Sequence, residues 1–240
     1  MRLVKLFAVL VVGLCLSARG GIIYSSFPNG GNVPDGTSAG WSGTATASGF
    51  LPTIADVSVS LNISGGFNGD LYAYLSYNGV LVPLLNRVGV TGTGSGSGFG
   101  YGDTGFNITL GSSGAHDVHF YGNYSPNLNG SGQLTETWQP DGRAIDPLSS
   151  PGSFDSASRV TFGSYNNLNP NGTWTLFIAD MSSGGGRSQL VGWSLDITAV
   201  PEPVNVALGV FAGTFVVIGL WRAAWRRRRF CRADPLQFHP

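Results

Sequence analysis

The sequence predicts an all-β fold, an antiparallel jelly-roll-like β-sandwich, between an N-terminal signal peptide and a C-terminal transmembrane helix. Glycine contributes 37 of the 240 residues and charged residues only 11%, a composition typical of β domains with many turns. Apolar side chains alternate with polar ones at a period of two, as they do in half-buried strands. An apolar run near each end of the chain predicts the two flanking segments.

The first predicted segment is a secretory signal peptide. Arg2 and Lys5 precede the apolar run Leu6–Leu16, and small residues lead to a cleavage site near Gly20. The run is too short to cross a bilayer. The complete predicted order is a signal peptide (1–20), a β-sandwich (21–198), a linker (199–203), a transmembrane helix (204–221) and a basic cytoplasmic tail (222–240).

Five strands follow from the alternation, another is predicted at Val118 and Phe120, and the run Val80–Leu85 after the Asn78-Gly79 turn is predicted as the second strand of a hairpin. The five lie within residues 57–63, 71–75, 106–110, 174–178 and 193–197. Asn78-Gly79 predicts a tight hairpin turn, because both residues tolerate a positive φ angle. Pro83 belongs on an edge strand or beside a bulge, since it lacks a backbone donor. Trp174 and Trp193 are predicted to be core aromatics that join two sheets.

The C-terminal run Val204–Trp221 would extend about 27 Å as a helix, close to the ~30 Å hydrocarbon core of a bilayer. A basic stop cluster follows it, made of Arg222, Arg226, Arg227, Arg228 and Arg229. Basic residues stay on the cytoplasmic side, so the β domain should face outward. Cys15 and Cys231 lie in the two flanking segments, which predicts an exported domain without a disulfide.

The charge of the central region excludes one class of function. Residues 21–200 contain four arginines and eleven acidic residues, a net charge of about −7. Nucleic-acid binding needs a basic patch that neutralises phosphates. We therefore expect no nucleic-acid partner.

Acidic residues near predicted strand ends are candidate calcium ligands. Asp70, Asp103 and Asp180 could supply carboxylate oxygens, which hard cations prefer together with main-chain carbonyls. The alternative is that each aspartate caps its own turn.

Candidate catalytic groups are few. Gly36-Thr37-Ser38-Ala39-Gly40 matches the G-x-S-x-G pattern, but the strand-to-helix elbow that a nucleophile needs is not predicted after it. His116 and His119 flank Asp117, and on a strand they would face opposite sides, so we expect a solvated strand end. The sequence therefore predicts that the chain is not an enzyme. Catalysis would need a pocket in which one of these histidines meets a serine or an aspartate.

The C-terminal segment resembles a PEP-CTERM sorting tag. The resemblance consists of Pro201, Glu202 and Pro203, then one apolar span, then the arginine cluster. It implies processing by an exosortase-type enzyme near this motif, after the precursor has been anchored in the inner membrane. It also implies a Gram-negative-type bacterium that makes an exopolysaccharide, and a mature protein at the cell surface or in the extracellular matrix.

The central region resembles the P-domain (P/Homo B) of subtilisin-like proprotein convertases. The matching segments are Phe67-Asn68-Gly69-Asp70-Leu71, Asn78-Gly79, Val82–Leu85 with Arg87, Phe162-Gly163, Asn169–Leu176, Asp180, and Gly192-Trp193-Ser194-Leu195. The resemblance implies the β-sandwich fold and a supporting or binding role, since the P-domain supports a neighbouring protease domain in convertases. A glycine-rich surface loop over 89–105 and an inserted arm around 138–143 depart from the family pattern.

Together these features predict an exported, non-catalytic surface or matrix protein with a structural or adhesive module. Its expected partners are the exosortase-type enzyme, the inner membrane before processing, and an exopolysaccharide or another surface protein. The alternative is a carbohydrate-binding module whose exposed rings stack on sugars. The candidate glycan contacts are Tyr72, Tyr74, Tyr77 and Trp138.

Overall fold

The computed structural model describes residues 19–25, 31–93, 98–201 and 203–230. One compact unit, Ala18–Val200, contains the β domain, and the segment from Pro201 onward belongs to a second unit. Within the described residues the β domain has ten strands in two sheets, and all strand pairs but one are antiparallel. The chain is therefore mostly β-sheet with one long C-terminal helix.

Six strands form the large sheet. They are β1 (Arg19–Ser25), β2 (Gly31–Asn32), β4 (Thr53–Ser64), β7 (Gly105–Leu110), β8 (Thr137–Trp138) and β10 (Gln189–Val200). Their order is β1, β10, β4, β7, β8, and β2 pairs with the beginning of β10. The short β8 lies parallel to β7, which makes this the one parallel pair among the described strands.

Four strands form the small sheet, in the order β3, β9, β5, β6. They are β3 (Thr37–Ala47), β5 (Leu71–Tyr77), β6 (Val80–Asn86) and β9 (Gly172–Asp180). The chain moves repeatedly from one sheet to the other, so neighbours in sequence such as β9 and β10 lie in different sheets.

Apolar side chains from both sheets form one core. Every second residue of β4 from Val57 to Ile63 is buried, as the alternation predicted. The Trp174 ring is fully buried and stacks on Tyr77, with ring centroids 4.0 Å apart. Its Nε1 donates to the Pro170 carbonyl at 3.0 Å, so the indole polar atom is satisfied. Trp193 is only 5% exposed, and the prediction of two core tryptophans is confirmed.

The predicted hairpin joins β5 to β6. Asn78 and Gly79 have φ angles of 47° and 79°, the left-handed conformations that a two-residue turn of this type requires. Pro83 lies on β6, which is an edge strand, opposite an irregularity in the pairing between Ala73 and Tyr74. The expectation of an edge strand or a neighbouring bulge is therefore confirmed for this proline, which has no N–H to donate to a neighbouring strand.

The prediction of a strand at Val118 and Phe120 is wrong. Residues Val118–Tyr124 form 3₁₀-helical turns with a kink at Phe120. Asp117 begins the segment, and its side chain accepts a hydrogen bond from the His119 N–H at 3.0 Å. This aspartate acts as an N-cap, a role that favours a helical turn over a strand.

Three further short helical segments connect the strands. They are the 3₁₀ turns Asn68–Asp70 and Phe162–Tyr165 and the helix α1 (Pro151–Asp155). Proline occupies the first turn of α1, where its missing N–H has no intrahelical partner to lose.

The C-terminal helix α2 extends over 28 residues, Pro203–Phe230. Its stretch Ala207–Arg226 is long and apolar enough to cross a membrane, with a mean hydropathy of 1.7. Large apolar side chains along it are exposed, Phe215 at 72% and Trp221 at 64%. The helix continues past the predicted 204–221 because arginine is a good helix former.

Several sequence-based assignments concern residues outside those described. They are most of the predicted signal peptide (1–20), Glu202, Cys15, Cys231 and the end of the tail beyond residue 230. Their assignments stay predictions.

Candidate functional site

A cleft of about 290 Å³ lies where β5 begins and β9 ends. Leu71 pairs with Asp180, and the Met181 N–H donates to the Asp70 carbonyl at 2.8 Å. Asp70 lines the cleft together with Tyr101 and the loop that follows β9. Two of the predicted calcium ligands, Asp70 and Asp180, are therefore neighbours at adjacent strand ends.

Glycines bring the walls of this cleft close together. The Gly69 N–H donates to the Tyr101 carbonyl at 2.8 Å, and a Cβ on Gly69 would lie 2.4 Å from the Phe99 carbonyl oxygen. Gly185, with φ of 73°, lies against the Phe67 ring, which a Cβ would approach to 2.4 Å. Side chains at either position would push the walls apart, so these glycines set the shape of the cleft.

Burial shapes the electrostatics of both aspartates. It is the main cause that raises the pKa of Asp180 to about 6, and the negative charges of Asp70 and Asp35 add to it. Burial also raises the pKa of Asp70, although the Arg87 charge acts in the opposite direction. Arg87 itself donates its Nε to the Gly69 carbonyl at 3.2 Å.

Asp103 has a different partner from the other two aspartates. Its carboxylate accepts a hydrogen bond from the Tyr121 hydroxyl at 2.7 Å, and Tyr121 accepts one from the Asn68 amide at 3.1 Å. The described residues contain no group of three or more His, Cys, Asp or Glu side chains placed to hold a metal. The predicted trio is thus not assembled, because the tyrosine engages Asp103.

His119 forms the centre of a buried ion network, which we define as His119, Asp141 and Arg143 with Asp117 and Arg159 at its rim. His119 Nδ1 lies 2.6 Å from Asp141 Oδ2, and both side chains are fully buried. Nε2 lies 2.9 Å from the Val90 carbonyl, which can only accept. The expectation of a solvated strand end is therefore wrong for His119.

The charges of the ion network follow from its hydrogen bonds. Burial alone would raise the pKa of Asp141, but the hydrogen bonds and charges of His119 and Arg143 lower it below its usual value. The carboxylate is thus ionised, and the two groups that face the His119 ring nitrogens, this carboxylate and the Val90 carbonyl, are both acceptors.

At the rim, Asp117 links two arginines. Arg143 Nη1 lies 3.1 Å from Asp141 and 3.5 Å from Asp117, while Arg159 Nη1 lies 3.3 Å from Asp117. The arm around 138–143, which departs from the family pattern in sequence, supplies Asp141 and Arg143 to the interior. Sequence spacing gave no signal for these contacts, because 22 residues separate His119 from Asp141.

The other candidate catalytic groups lie apart. Ser38 is exposed on β3, which continues as a strand to Ala47 instead of turning into a helix. His116 is exposed and stacks on Tyr124, with ring centroids 3.6 Å apart. His119 is the other candidate, and in its pair with Asp141 a catalytic base would need its Nε2 to contact a nucleophile. Nε2 contacts the Val90 main-chain carbonyl instead.

The candidate glycan contacts separate into two pairs. Trp138 is 5% exposed with its Nε1 bonded to the Thr135 carbonyl, and Tyr77 is 8% exposed beneath Trp174. These two side chains are buried and do not form an exposed platform, which corrects the expectation for them. Tyr72 and Tyr74 are partly exposed at alternate positions of β5, with ring centroids 5.9 Å apart.

One aromatic residue beside them was not anticipated. Phe177 on β9 stacks on Tyr74, with ring centroids 4.9 Å apart. Its ring also lies against Gly40, where a Cβ would come within 2.5 Å of it. The period-two pattern of β9 could have revealed Phe177, since it alternates with the core residues Leu176 and Ile178.

The structure describes part of the predicted sorting segment. Pro201 is partly buried and Pro203 is the first residue of α2. Arg222 and Arg226 lie in the helix with exposed side chains, and the helical backbone continues through Arg227, Arg228 and Arg229.

No protein-family model matches this chain, and no curated protein matches it. Two solved structures are similar at a TM-score of 0.39, both of a serine protease of Aeromonas sobria, in one case in complex with the chaperone ORF2. The identities are 14% and 13%, and each match covers 80% of this chain. The chain spans only 29% of the length of each matched chain.

These matches contradict the prediction that the chain is not an enzyme, because the matched proteins are serine proteases. A TM-score of 0.39 is in turn too low to assign the proteases' activity to this chain.

Proposed function

We propose that this chain is an exported surface or extracellular-matrix protein that is sorted by a PEP-CTERM and exosortase-type system. Its β domain is P-domain-like with a jelly-roll connection of the strands, and it serves a structural or adhesive role. The precursor is anchored in the inner membrane through α2 before processing. The exopolysaccharide or another surface protein is the partner of the mature form.

The observation that carries this proposal is the C-terminal helix. It begins at Pro203, within the Pro-Glu-Pro motif, continues through the apolar stretch Ala207–Arg226 and ends among arginines. Exposed apolar side chains such as Phe211 at 63% are costly in water and are stabilised in a lipid environment. Repeated crossing of the chain between two sheets that share one core supports the jelly-roll assignment.

The test is the intact mass of the protein recovered from the outer surface and medium, compared with that in the membrane fraction. We expect the exported form to lack the residues beyond about Pro203. Recovery of the chain only in membranes, with its C-terminus intact through Pro240, would refute processing.

A matched pair of variants sharpens this test. Glu202→Ala changes the motif, and we expect it to leave the precursor in the membrane fraction. Glu136→Ala removes the exposed glutamate of the β domain and should be processed normally. Equal processing of both variants would mean that the Pro-Glu-Pro motif is not what the enzyme recognises.

A second candidate, glycan binding, is favoured by the position of Tyr72 and Tyr74. Both lie on the outward side of β5 and keep partly exposed rings. Phe177 stabilises Tyr74 by stacking and fixes its orientation. Affinity electrophoresis in the producing cell's exopolysaccharide should show retardation that the double variant Tyr72→Ala/Tyr74→Ala loses and that Tyr124→Ala, an exposed tyrosine elsewhere, keeps. Equal migration of all three proteins would exclude this surface.

A further inference from the structure

Three aromatic rings and one buried carboxylate line the cleft between β5 and β9. Phe99 is 79% exposed and Phe67 is 42% exposed, although both are large apolar side chains. They line the cleft together with the half-buried Tyr101 and with Asp70. Single exposed apolar side chains are common on protein surfaces, whereas several around one concave site are typical of a ligand-binding surface.

The carboxylate in this cleft has no hydrogen-bond donor from the described part of the protein. Asp70 is 6% exposed, and only its main-chain groups form hydrogen bonds among the described residues. The charge of Arg87 acts on Asp70, but the Arg87 Nε donates to the Gly69 carbonyl. Buried polar groups in native proteins normally have partners, so a carboxylate that lines an open cleft without one is placed to accept hydrogen bonds from a ligand.

The aromatic walls are held in place by their own packing. The Phe67 ring lies against Gly185, where a Cβ would come within 2.4 Å of it. The Tyr101 ring packs on Tyr121, with ring centroids 4.4 Å apart, and the Tyr101 N–H donates to the Val88 carbonyl at 3.0 Å. Rings that are fixed before binding lose little conformational freedom when a ligand packs on them, which favours affinity.

The residues of the lining favour one class of ligand. An anion is repelled by Asp70 and by the nearby charge of Asp35. A metal ion would find a single carboxylate, on which the charge of Arg87 already acts. A sugar ring has apolar C–H faces that pack on aromatic rings, and hydroxyls that donate to a carboxylate. Ser182 and Ser183 also line the cleft and carry hydroxyls that can exchange hydrogen bonds with those of a sugar.

We propose that this cleft binds one pyranose ring of a neutral glycan. Phe67, Phe99 and Tyr101 contact the apolar face of the ring, and its hydroxyls donate to the Asp70 carboxylate. The cleft volume of about 290 Å³ lies at the lower end of the ~300–1,000 Å³ that small-molecule sites span, which suits a single ring. The inference rests on the proposed function for the source of the sugar, the exopolysaccharide. The site is separate from the candidate tyrosines of β5, which do not line this cleft.

The experiment records saturation-transfer difference NMR spectra with the full chain in a detergent that has no sugar head group. The probes are the methyl glycosides of glucose, galactose and mannose, and oligosaccharides released from the producing cell's exopolysaccharide. We expect transfer from the protein to the ring protons of at least one probe, above the background of empty micelles. Asp70→Asn should weaken this binding by about tenfold, because hydrogen bonds to a charged acceptor are the stronger ones. Asp196→Asn, in the large sheet, should bind like the wild type.

A second variant tests the aromatic wall. Phe99 is mostly exposed, so Phe99→Ala should fold, and we expect it to weaken binding by about fivefold. Tyr124→Ala removes an exposed aromatic ring outside the cleft and should have no effect. Absence of transfer to every probe would overturn the proposal, and so would unchanged binding in Asp70→Asn or Phe99→Ala. Loss of binding only in Tyr72→Ala/Tyr74→Ala would place the sugar on β5 instead. Binding of butylammonium but of no sugar would overturn the proposal in favour of a pocket for organic cations.

The outcome for this cleft is separable from the outcome for the sorting route. The NMR measurement uses the purified chain, so a protein retained intact in membranes would refute processing without changing the binding result. Absence of sugar binding would exclude the exopolysaccharide as the occupant of this cleft and would leave the processing test unaffected.

Discussion

At the scale of single residues, Asp180 connects burial to the pH dependence of stability. Its pKa in the folded chain is about 6, above the value of 3.8 that an unburied aspartate has. The folded state therefore binds this proton more tightly than the unfolded state does. The resulting stabilisation is complete below pH 3.8 and is lost as the pH rises through 6.

We accordingly expect the Tm of the β domain in EDTA to rise when the pH is lowered from about 7.5 to about 5. Asp180→Asn, which carries no charge at any pH, should flatten this dependence, and thermal unfolding across the pH range measures it. Asp141, whose pKa is lowered, loses its contribution only at more acidic pH and does not mask the effect. An equal pH dependence in the wild type and the variant would contradict the assignment to Asp180.

At the same scale, substitution of His119 tests how much the ion network contributes to the free energy of unfolding. Replacing His119 by alanine removes one partner of the buried Asp141 carboxylate, which keeps Arg143, and the partner of the Val90 carbonyl. Losing a partner of a buried polar group in this way typically costs about 1–3 kcal/mol of unfolding free energy. His116→Ala is the matched control, and because this exposed residue lies outside the network it should stay within about 0.5 kcal/mol of wild type. Urea denaturation compares them, and equal losses would show that the network does not stabilise the fold.

At the scale of elements, the backbone conformation of the turn between β5 and β6 restricts which residues the hairpin tolerates without losing stability. Gly79 has a φ angle of 79°, and an added Cβ would meet nothing within 4 Å. Gly79→Ala therefore introduces conformational strain without a steric clash, and we expect a loss of about 1–2 kcal/mol. Gly152→Ala in α1 also meets open space but at an ordinary φ angle, so it should be neutral or slightly stabilising. Chemical denaturation distinguishes them, and an equal response would exclude backbone strain as the cause.

The elements that sequence predicts best are those whose pattern is local. The alternation in β4, β9 and β10 identifies their buried faces directly, because the apolar positions within 57–63, 174–178 and 193–197 are large side chains. β3 was not predicted, since its inward residues Ala45 and Ala47 are small and its other residues are mostly glycine, serine and threonine. Those alanines lie on the strand that pairs with β9, where Ala45 is opposite Trp174. The small alanine side chains leave room for the large indole ring in the core.

The candidate sites likewise combine residues that local sequence reveals with contacts between residues far apart in the sequence. Acidic residues at strand ends can be recognised from sequence, and Asp70 and Asp180 were recognised in this way. The partners of Asp103 and His119 lie 18 and 22 residues away, and no local pattern encodes such contacts. Trp138 and Tyr77 were candidate glycan contacts, which need exposed rings, yet packing against Tyr121 and Trp174 buries them.

At the scale of the whole molecule, α2 is long and apolar enough to cross a membrane, and its proposed role is to anchor the precursor there. Phe215 lies near the middle of the stretch Ala207–Arg226 and is 72% exposed. An arginine near the centre of a membrane-spanning helix costs about 2.5–3.5 kcal/mol on insertion scales. Phe215→Arg should therefore reduce the fraction of the chain that stays in membranes after an alkaline carbonate wash. Phe215→Leu is the matched control and should be retained like the wild type, because leucine is as favourable in hydrocarbon. Retention of both variants would mean that this helix is not the membrane anchor, and the precursor would then have to be held in membranes by contacts of the β domain.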